Sequence, residues 1–522
     1  MSAPQAGPAE SRLLCNSPQW QAESRFLSDA YSTLRRSVGQ RESTTTPSPN
    51  ALEKAVGALP RPSSPSYLAG LGSEAALKHI NDDIVPALNG QSLSSRYYGF
   101  VTGGALPVAE AADNIVSALD QNVAVHLPSD TVATAVEDAA LGMVTSLLGL
   151  ESEQWPGRIL TTGATASNVL GLACGREAVI SQRLIAAGVD PKEYSVGDFG
   201  LLQACIKAGV HEIQILTSMG HSSLYKAASI VGLGRKSVKA LPLSESEPFR
   251  LDIAAVEKEA AREGVATIIA VSAGEVNTSG YATSSREDMV KLRAIADRYD
   301  AWIHVDGAFG IFARALPQTD EFSRLHEGVA GLELASSITA DGHKLLNVPY
   351  DCGIFLTRSQ TIQSEVFRNP NAAYLPPSKS RTIQNPLDIG IENSRRFRAL
   401  PVYAVLISEG RQGMSEIFAR MVRMARRVAG FLRASDDYEL LLGQGETVGI
   451  IVLFRARDTG LNKTLVQRIN KIREIYVSPT SWQGSPATRL AVSSWRVDVE
   501  KDGDVVENIL KDVAKSYKLE HS

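Results

Sequence analysis

Short apolar runs alternate with longer stretches of helical periodicity through the middle of the chain. The apolar runs have the length and near-continuous hydrophobicity of buried strands, and they lie at 158–163, 212–218, 237–243, 267–273, 302–305, 336–341 and 353–358. Apolar residues at helical spacing occupy 129–149, 165–182, 223–233, 252–264 and 286–300. This alternation predicts an α/β fold whose mostly parallel sheet is covered by helices on both faces.

The two ends of the chain show different residue patterns from the middle. Residues 19–38 show helical spacing, and 40–68 are rich in Ser, Thr and Pro, which favours a linker or a draped loop. After residue 400 a long helical stretch, 400–434, precedes strands near 449–455 and 488–495, with helices near 462–473 and 504–517. We therefore predict an N-terminal helical and extended segment (1–104), a large α/β domain (105–400) and a small α+β domain (401–522).

Composition excludes several classes of partner. The 522 residues are 44% hydrophobic and 21% charged with a net charge of −4, so no basic field favours nucleic acid or an anionic membrane. The four cysteines are scattered without a paired spacing, which is typical of reduced thiols. The first residues lack the apolar core of a signal peptide, and no apolar run is long enough to cross a membrane. We expect a cytoplasmic protein.

Polar residues that could catalyse a reaction or bind a ligand follow the predicted strands. Asp306 ends the strand IHVD, His221 follows the strand at 212–218, and Lys344 follows SSITAD. In open α/β sheets ligands bind beyond the carboxyl ends of the strands. Taken alone, each residue also has an ordinary interpretation as a helix cap, a structural hydrogen-bonding group or a surface lysine.

A fourth feature is the loop TTGATASN, which opens the helix at 165–182. Backbone N–H groups at a helix start, with the hydroxyls of Thr165 and Ser167, form a cradle for phosphate, although an unliganded capped helix has the same pattern. An amine, an acid, a flat ring and a phosphate cradle on one rim are the groups that pyridoxal 5′-phosphate (PLP) needs. A lysine removed from water becomes a nucleophilic amine that forms a Schiff base with the aldehyde, and the acid keeps the pyridine nitrogen protonated.

Five motifs, in order, resemble the group II PLP-dependent amino-acid decarboxylases, the family of the aromatic-L-amino-acid and glutamate decarboxylases. The motifs are GATASN, GHSSLYKA, HVDGAFG, GHKLLNVPYDCG and ENSRRFRALPVYAVL, and the resemblance covers residues 85–515. It implies a fold-type I, aspartate-aminotransferase-like large domain, PLP as cofactor, an L-amino acid as substrate and the amine as product. It also implies a homodimer, with residues 19–110 helping to clasp the partner.

The resemblance carries roles to individual residues. Lys344 would form the Schiff base, Asp306 would pair with the pyridine nitrogen, and His221 and Ala308 would lie on opposite faces of the ring. Phosphate would be held by Thr165, Ala166 and Ser167, with His343 beside it. Ser272 would lie near the cofactor. Tyr97 and Tyr98 would line the substrate site, or else pack in an aromatic core.

The chain also departs from the family pattern. The family carries a catalytic tyrosine on a loop where this chain has QNPLDIG (384–390), and the nearest upstream tyrosine is Tyr374. That absence leaves an oxygen-dependent aldehyde synthase open, and ADGHK also resembles a branch of carbon–carbon lyases that act on sphingosine phosphate. Asp341 stands where these decarboxylases often have Asn, and an acid beside phosphate would be repelled. A non-catalytic protein on the same fold is the third alternative.

Overall fold

The computed structural model describes residues 14–41, 43–65, 67–369, 383–441 and 448–521. A seven-stranded sheet forms its centre, in the order β1-β7-β6-β5-β4-β2-β3. Its strands are β1 (Gly157–Thr161), β2 (Glu212–Thr217), β3 (Val238–Ala240), β4 (Val265–Ser272), β5 (Trp302–Asp306), β6 (Ser337–Asp341) and β7 (Gly353–Thr357). Pairings from β3 through β6 are parallel, whereas β7 runs antiparallel to β6 and β1. The predicted mostly parallel α/β fold is confirmed.

Helices cover this sheet. Those of the first two thirds of the chain are α1 (Pro18–Gly39), α2 (Pro49–Ala58), α3 (Ser73–His79), α4 (Pro107–Leu119), α5 (Ala133–Leu147), α6 (Ala164–Ala186), α7 (Val196–Phe199), α8 (Leu201–Lys207), α9 (Ser222–Ile230), α10 (Ile253–Ala260), α11 (Arg286–Tyr299), α12 (Ser323–Val329) and α13 (Gln360–Phe367). Helix α6 is buried along most of its length and packs on β4 to β7 and on α9. Its first turn therefore lies at the edge where β5 and β6 end.

A second sheet lies towards the C-terminus. It has the order β10-β11-β9-β8 and is formed by β8 (Tyr438–Leu440), β9 (Ile451–Ala456), β10 (Ser478–Trp482) and β11 (Ser485–Ala491). Helices α14 (Ala399–Ala434), α15 (Thr459–Ile472) and α16 (Val499–His521) accompany it. Helix α14 packs on α4 and α5 as well as on α16 and β8, so it joins the two parts across the domain boundary that we predict at residue 400. That boundary stays a prediction.

The interpretation of 40–68 as a linker or loop is wrong for part of that stretch, because α2 lies within it. Ser48 caps the helix by accepting a hydrogen bond from the Ala51 N–H (3.2 Å), and Pro49 occupies its first turn. Proline fits this position since the first N–H of a helix needs no partner within the helix. The short strands β8 and β10 were also missing from the sequence prediction.

None of the helices in the described ranges combines the length and hydrophobicity needed to span a bilayer.

Candidate active site

Lys344 lies on one turn of π-helix, Gly342–Leu346, which follows directly on β6. Its Nζ is 2.8 Å from Oδ2 of Asp341, and the two side chains are 21% and 3% exposed. The same Nζ lies 5.9 Å from the centre of the Phe309 ring. Lys344 is thus held by a buried carboxylate at the carboxyl end of a central strand.

The turn that carries Lys344 is fixed from two sides. Asn347, which is fully buried, donates its side-chain amide to the carbonyl oxygens of Lys344 (3.3 Å) and Leu345 (2.9 Å) and accepts from the Trp495 N–H (2.7 Å). On the other side, a Cβ at Gly103 would lie 1.9 Å from the Lys344 carbonyl oxygen. The YYGFVTGG segment therefore contacts the lysine turn directly, and only glycine fits at 103.

Asp306 ends β5, which pairs in parallel with β6, the strand that directly precedes Lys344. The strand registers pair Asp306 with Ser272 of β4 on one side and with Thr339 of β6 on the other. Its Oδ2 accepts a hydrogen bond from Asn168 Nδ2 (2.9 Å), and Oδ1 accepts from the Ala308 N–H (3.4 Å). Parallel strands bring these carboxyl ends to one edge, as the strand-end rule predicts.

His221 caps the start of α9. Its Nδ1 accepts from the Ser223 N–H (3.2 Å) and lies 2.7 Å from Ser223 Oγ. Burial lowers the pKa of His221; the nearby Asp306 carboxylate opposes that shift, while the Lys344 and Arg489 charges lower the pKa further. The imidazole is therefore neutral at neutral pH and lies within the electrostatic reach of Asp306 and Lys344.

The first turn of α6 has free donors. The N–H of Ala164 donates to Oδ1 of Asp341 (2.6 Å), whereas the N–H groups of Thr165 and Ala166 donate to no described residue. Ser167 differs from the expectation for a phosphate ligand, because its fully buried hydroxyl lies 2.7 Å from Thr161 Oγ1. Backbone N–H groups at this helix start fit an anion.

His343 lies behind Lys344 on the same turn. Its Nδ1 accepts from the Cys352 N–H (3.2 Å), and its ring packs on Tyr350 with 4.3 Å between centres. Burial lowers the pKa of His343, an effect that Asp341 opposes. Burial, with the charges of Asp341 and Tyr97, raises the pKa of Tyr350 to about 12.

The two candidate substrate tyrosines occupy different surroundings. Tyr97 is stacked on Tyr476, with ring centres 4.7 Å apart and planes 4° apart, and burial raises its pKa. Tyr98 is 1% exposed within the main core, and no described residue bonds to its hydroxyl. Of the two interpretations that the sequence leaves open, the geometry of Tyr98 favours packing. Tyr374 lies outside the described residues.

Arg489 is a site residue that sequence reasoning missed. It lies on β11, is 5% exposed, and donates from Nη1 to the Phe100 carbonyl oxygen (2.8 Å), while no described residue accepts from its Nη2. Burial lowers the pKa of Arg489 to about 10, against the opposing charge of Glu275. A single arginine in an alternating strand carries no sequence signal, because its approach to His221 depends on the docking of the second sheet on the first.

These surroundings fit PLP. The donors at the start of α6 suit a phosphate, the carboxylate of Asp306 suits a pyridinium nitrogen, and Lys344 supplies an amine between them. Asp341 is the one feature that opposes an anion, since its carboxylate already bonds to the start of α6.

Solved structures share this fold over almost the whole chain. The crystal structure of Oryza sativa TDC with PLP and tryptamine has a TM-score of 0.77 and 21% identity, and the comparison covers 97% of this chain and 99% of that one. Rhodiola rosea 4-hydroxyphenylacetaldehyde synthase has a TM-score of 0.75 and 20% identity, with 97% and 99% coverage. At these identities the comparisons show the fold alone.

Sequence relatives are amino-acid decarboxylases by name. L-2,4-diaminobutyrate decarboxylase of Acinetobacter baumannii is 26% identical over 320 residues, which are 60% of this chain and 58% of that protein. Tryptophan decarboxylase 1 of Oryza sativa subsp. japonica is 24% identical over 455 residues, 83% of this chain and 82% of that protein. The match thus spans less than two thirds of the bacterial enzyme and most of the plant enzyme.

The family model of the pyridoxal-dependent decarboxylase conserved domain matches residues 97–457, well over half of the chain. That range contains the lysine turn, the ends of β4 to β6 and the first turn of α6. The chain belongs to the pyridoxal-dependent decarboxylase family, whose cofactor is pyridoxal phosphate.

Proposed function

We propose that this chain decarboxylates an L-amino acid to the corresponding amine, with Lys344 holding PLP through a Schiff base. The observation that carries the proposal is the convergence of Lys344, Asp306, His221 and the start of α6, which come from separate elements, on one edge of the sheet. The family match supports the same reaction class.

Three residues act on the cofactor ring in this proposal. When bound, PLP supplies a protonated pyridine ring that accepts the electron pair left as the carboxyl group departs. Asp306 would hold the proton on the pyridine nitrogen, and its orientation is supported by the Asn168 amide at 2.9 Å. His221, as a neutral imidazole, would lie on one face of the ring, and Ala308 would lie on the other face.

The phosphate would be held by the first turn of α6. The N–H groups of Thr165 and Ala166, which donate to no described residue, would donate to its oxygens together with the Thr165 hydroxyl. Ser167 would contribute through the helix turn that it stabilises, since its hydroxyl bonds to Thr161. His343 would lie beside the phosphate, and Ser272, at the end of β4, would lie near the ring.

We infer that Arg489 binds the amino-acid substrate. Nε and Nη1 of Arg489 donate to the carbonyl oxygens of Val276 and Phe100, and Nη2 has no partner among the described residues. A buried guanidinium anchored in this way is suited to donate a charge-assisted hydrogen bond from Nη2 to a carboxylate. Tyr97, stacked on Tyr476, forms part of the wall next to the YYGFVTGG segment.

We also propose that the chain works as a homodimer in the cytoplasm. Helix α1 has no buried residue, and the apolar side chains of Trp20, Leu27 and Tyr31 are 43%, 63% and 44% exposed. Such a helix is stable when a second copy covers its apolar face. Light scattering of the purified protein tests this, and a monomeric mass with full activity contradicts it.

A second candidate is an aldehyde synthase, which converts the amino acid, oxygen and water to an aldehyde, carbon dioxide, ammonia and hydrogen peroxide. The observation that favours it is the lack of a tyrosine in QNPLDIG (384–390), where the family places its proton donor. Its fold neighbour from Rhodiola rosea bears the name of such an enzyme.

Product analysis tests the proposal and separates the two candidates. The purified protein, loaded with PLP, is incubated with a panel of L-amino acids with and without oxygen, and the products are identified by mass. We expect a primary amine and carbon dioxide whether or not oxygen is present. An aldehyde that forms only with oxygen, together with peroxide, supports the second candidate, and cleavage to carbon fragments contradicts both.

A further inference from the structure

A continuous chain of buried hydrogen bonds runs behind the proposed cofactor ring. It begins at an indole N–H inside the sheet and ends at the two groups that face the ring. The links are Trp302 Nε1 to Ser337 Oγ (2.9 Å), Ser337 Oγ to His304 Nδ1 (2.8 Å), His304 Nε2 to Asn168 Oδ1 (2.9 Å), Asn168 Nδ2 to Asp306 Oδ2 (2.9 Å), Asn168 Nδ2 to Ser223 Oγ (3.1 Å) and Ser223 Oγ to His221 Nδ1 (2.7 Å).

Asn168 is the branch point, and its donors and acceptor are all determined by its neighbours. The Asp306 carboxylate only accepts hydrogen bonds, so the Asn168 amide turns its N–H₂ group towards it. Its Oδ1 is then left to accept from His304, which must carry its proton on Nε2. Burial lowers the pKa of His304 to about 4, so this imidazole is neutral and its Nδ1 accepts from the Ser337 hydroxyl.

The second N–H of Asn168 sets the other branch. It donates to Ser223 Oγ, which leaves the Ser223 hydroxyl proton to donate to Nδ1 of His221. The backbone N–H of Ser223 donates to the same nitrogen (3.2 Å), so His221 carries its proton on Nε2. The chain therefore fixes the protonated nitrogen of both imidazoles.

The close approach of helix α6 to β5 makes this series of hydrogen bonds possible. Asn168, His304 and Ser337 are fully buried. Gly171 lies one turn after Asn168 on α6, and a Cβ there would lie 2.2 Å from Cε1 of His304. Glycine at 171 lets the imidazole come close enough to bond to Asn168, so helix and strand are matched at this point.

We propose that Asn168 is a positioning residue that orients Asp306 and His221 together, and so couples the group beneath the pyridine nitrogen to the group on the ring face. The inference rests on the proposed function for the roles of Asp306 and His221. The Asn168 amide is itself buried and out of contact with solvent, and we expect its loss to change both groups at once.

Two substitutions of Asn168 separate its links. Asn168→Leu removes all of them, so the His304 proton moves to Nδ1, because Ser337 Oγ lies nearer to the ring (2.8 Å) than Thr339 Oγ1 does (3.5 Å). Asn168→Asp keeps an acceptor for His304, and its carboxyl group shares one proton with that of Asp306, because two carboxylates this close do not both ionise. In both variants Ser223 Oγ loses the donor that orients its hydroxyl, whereas the Ser223 N–H still donates to Nδ1 of His221 at 3.2 Å. We therefore expect the Nδ1 signal of His221 to shift in both variants, and the tautomer of His304 to change in the first variant only.

The matched control is Gln214, another fully buried amide, which lies on β2 and donates to Thr267 Oγ1 (3.0 Å) and the Glu259 carbonyl oxygen (2.9 Å). Gln214→Leu and Gln214→Glu carry the same general cost of disturbing a buried amide. They should leave the Nδ1 signal of His221 and the tautomer of His304 unchanged.

The first readout is histidine-labelled NMR of the protein without cofactor, in which the chain's 8 histidines limit the number of signals. The charged groups around His221 are Asp306, Asp341, Lys344 and Arg489, and Asp306 is the one around His304, so spectra are taken at matched pH and salt. The second readout is PLP affinity, which we expect to fall roughly tenfold in both Asn168 variants.

An Nδ1 signal of His221 that shifts in neither variant, with the fold intact by circular dichroism, overturns the inference. If the leucine variant does not fold, the near-isosteric aspartate variant decides alone through His221. The NMR measurement needs no bound PLP, so it decides the inference independently of the proposed function. Failure of the parent protein to bind PLP contradicts the proposed function instead.

Discussion

Lys344 and Ala164 share one carboxylate, that of Asp341, which lies 2.8 Å from Lys344 Nζ and accepts the Ala164 N–H at 2.6 Å. A single buried acid thus joins the proposed Schiff-base amine to the start of the helix proposed to bind phosphate. Its negative charge lies beside the Lys344 amine and opposes an incoming phosphate. We therefore expect Asp341 to affect how tightly the cofactor binds.

Asp341→Asn is expected to bind PLP about tenfold more tightly, because it removes the like charge yet keeps an oxygen for the Ala164 N–H. Titration of the cofactor-free protein with PLP at low and high salt measures this, and the gain should shrink at high salt. Asp138→Asn is the control, since Asp138 pairs with Arg158 at 2.6 Å on another part of the fold. Weaker binding by the Asp341 variant would instead mean that the ion pair prepares the lysine for the cofactor.

His304 makes the stability of the protein depend on pH in a defined window. Its pKa is lowered by burial from 6.5 to about 4, so between these values the unfolded chain binds a proton that the native state excludes. Stability contributed by the neutral imidazole is complete above pH 6.5 and is lost as pH falls towards 4, at up to about 1.4 kcal/mol per pH unit.

We expect His304→Gln to be less stable than the parent at pH 7.5, with the gap narrowing by about 2 kcal/mol at pH 5. Urea unfolding of both proteins without cofactor at the two pH values checks this. A gap that stays constant would show that His304 titrates equally in the folded and unfolded states.

Arg489 is expected to act on substrate rather than on cofactor. Arg489→Lys keeps a charge but loses the planar pair of donors, so KM for the amino acid should rise roughly tenfold or more. The visible spectrum of the bound cofactor should not change. Steady-state kinetics and a spectrum of the same preparation test this, and thermal unfolding controls for the buried site. A changed spectrum with an unchanged KM would indicate that Arg489 acts on the cofactor and not on the substrate.

A substitution of Tyr98 tests whether this side chain packs in the core or contacts the substrate. Its hydroxyl is buried with no bond to a described residue, so Tyr98→Phe should stabilise the protein by about 1 kcal/mol and leave KM unchanged. Denaturant unfolding and kinetics of the variant test both statements. A several-fold rise in KM would indicate that Tyr98 contacts the substrate.

The strand ends of the large sheet could be predicted from sequence because each rule used there is local. Apolar runs marked β4, β5 and β6, and the residues that follow them, Asp306 and Lys344, meet at one edge as parallel strands require. Helix α2 was missed although Ser48 and Pro49 are a start signal, because the Ser, Thr and Pro content of the region outweighed it.

The partners of these residues could not be predicted, since each arises from packing between distant segments. Asn168 lies within the recognised phosphate loop, yet its contact with His304 depends on the register of α6 over β5 and on Gly171. Arg489 reaches the site from a second sheet, and Asp341, which the sequence marks only as an acid unfavourable beside phosphate, bonds to Lys344 and Ala164. Sequence periodicity reports the buried face of an element, whereas contacts across elements need the assembled fold.

The central claim is that Lys344 carries the cofactor, and covalent capture tests it most directly. The purified protein is loaded with PLP, reduced with borohydride, digested and mapped by mass spectrometry, beside a Lys344→Ala variant. We expect a phosphopyridoxyl group on the peptide that contains Lys344 and none on that peptide in the variant. The group on a different lysine, or no captured group in the parent protein, would contradict it.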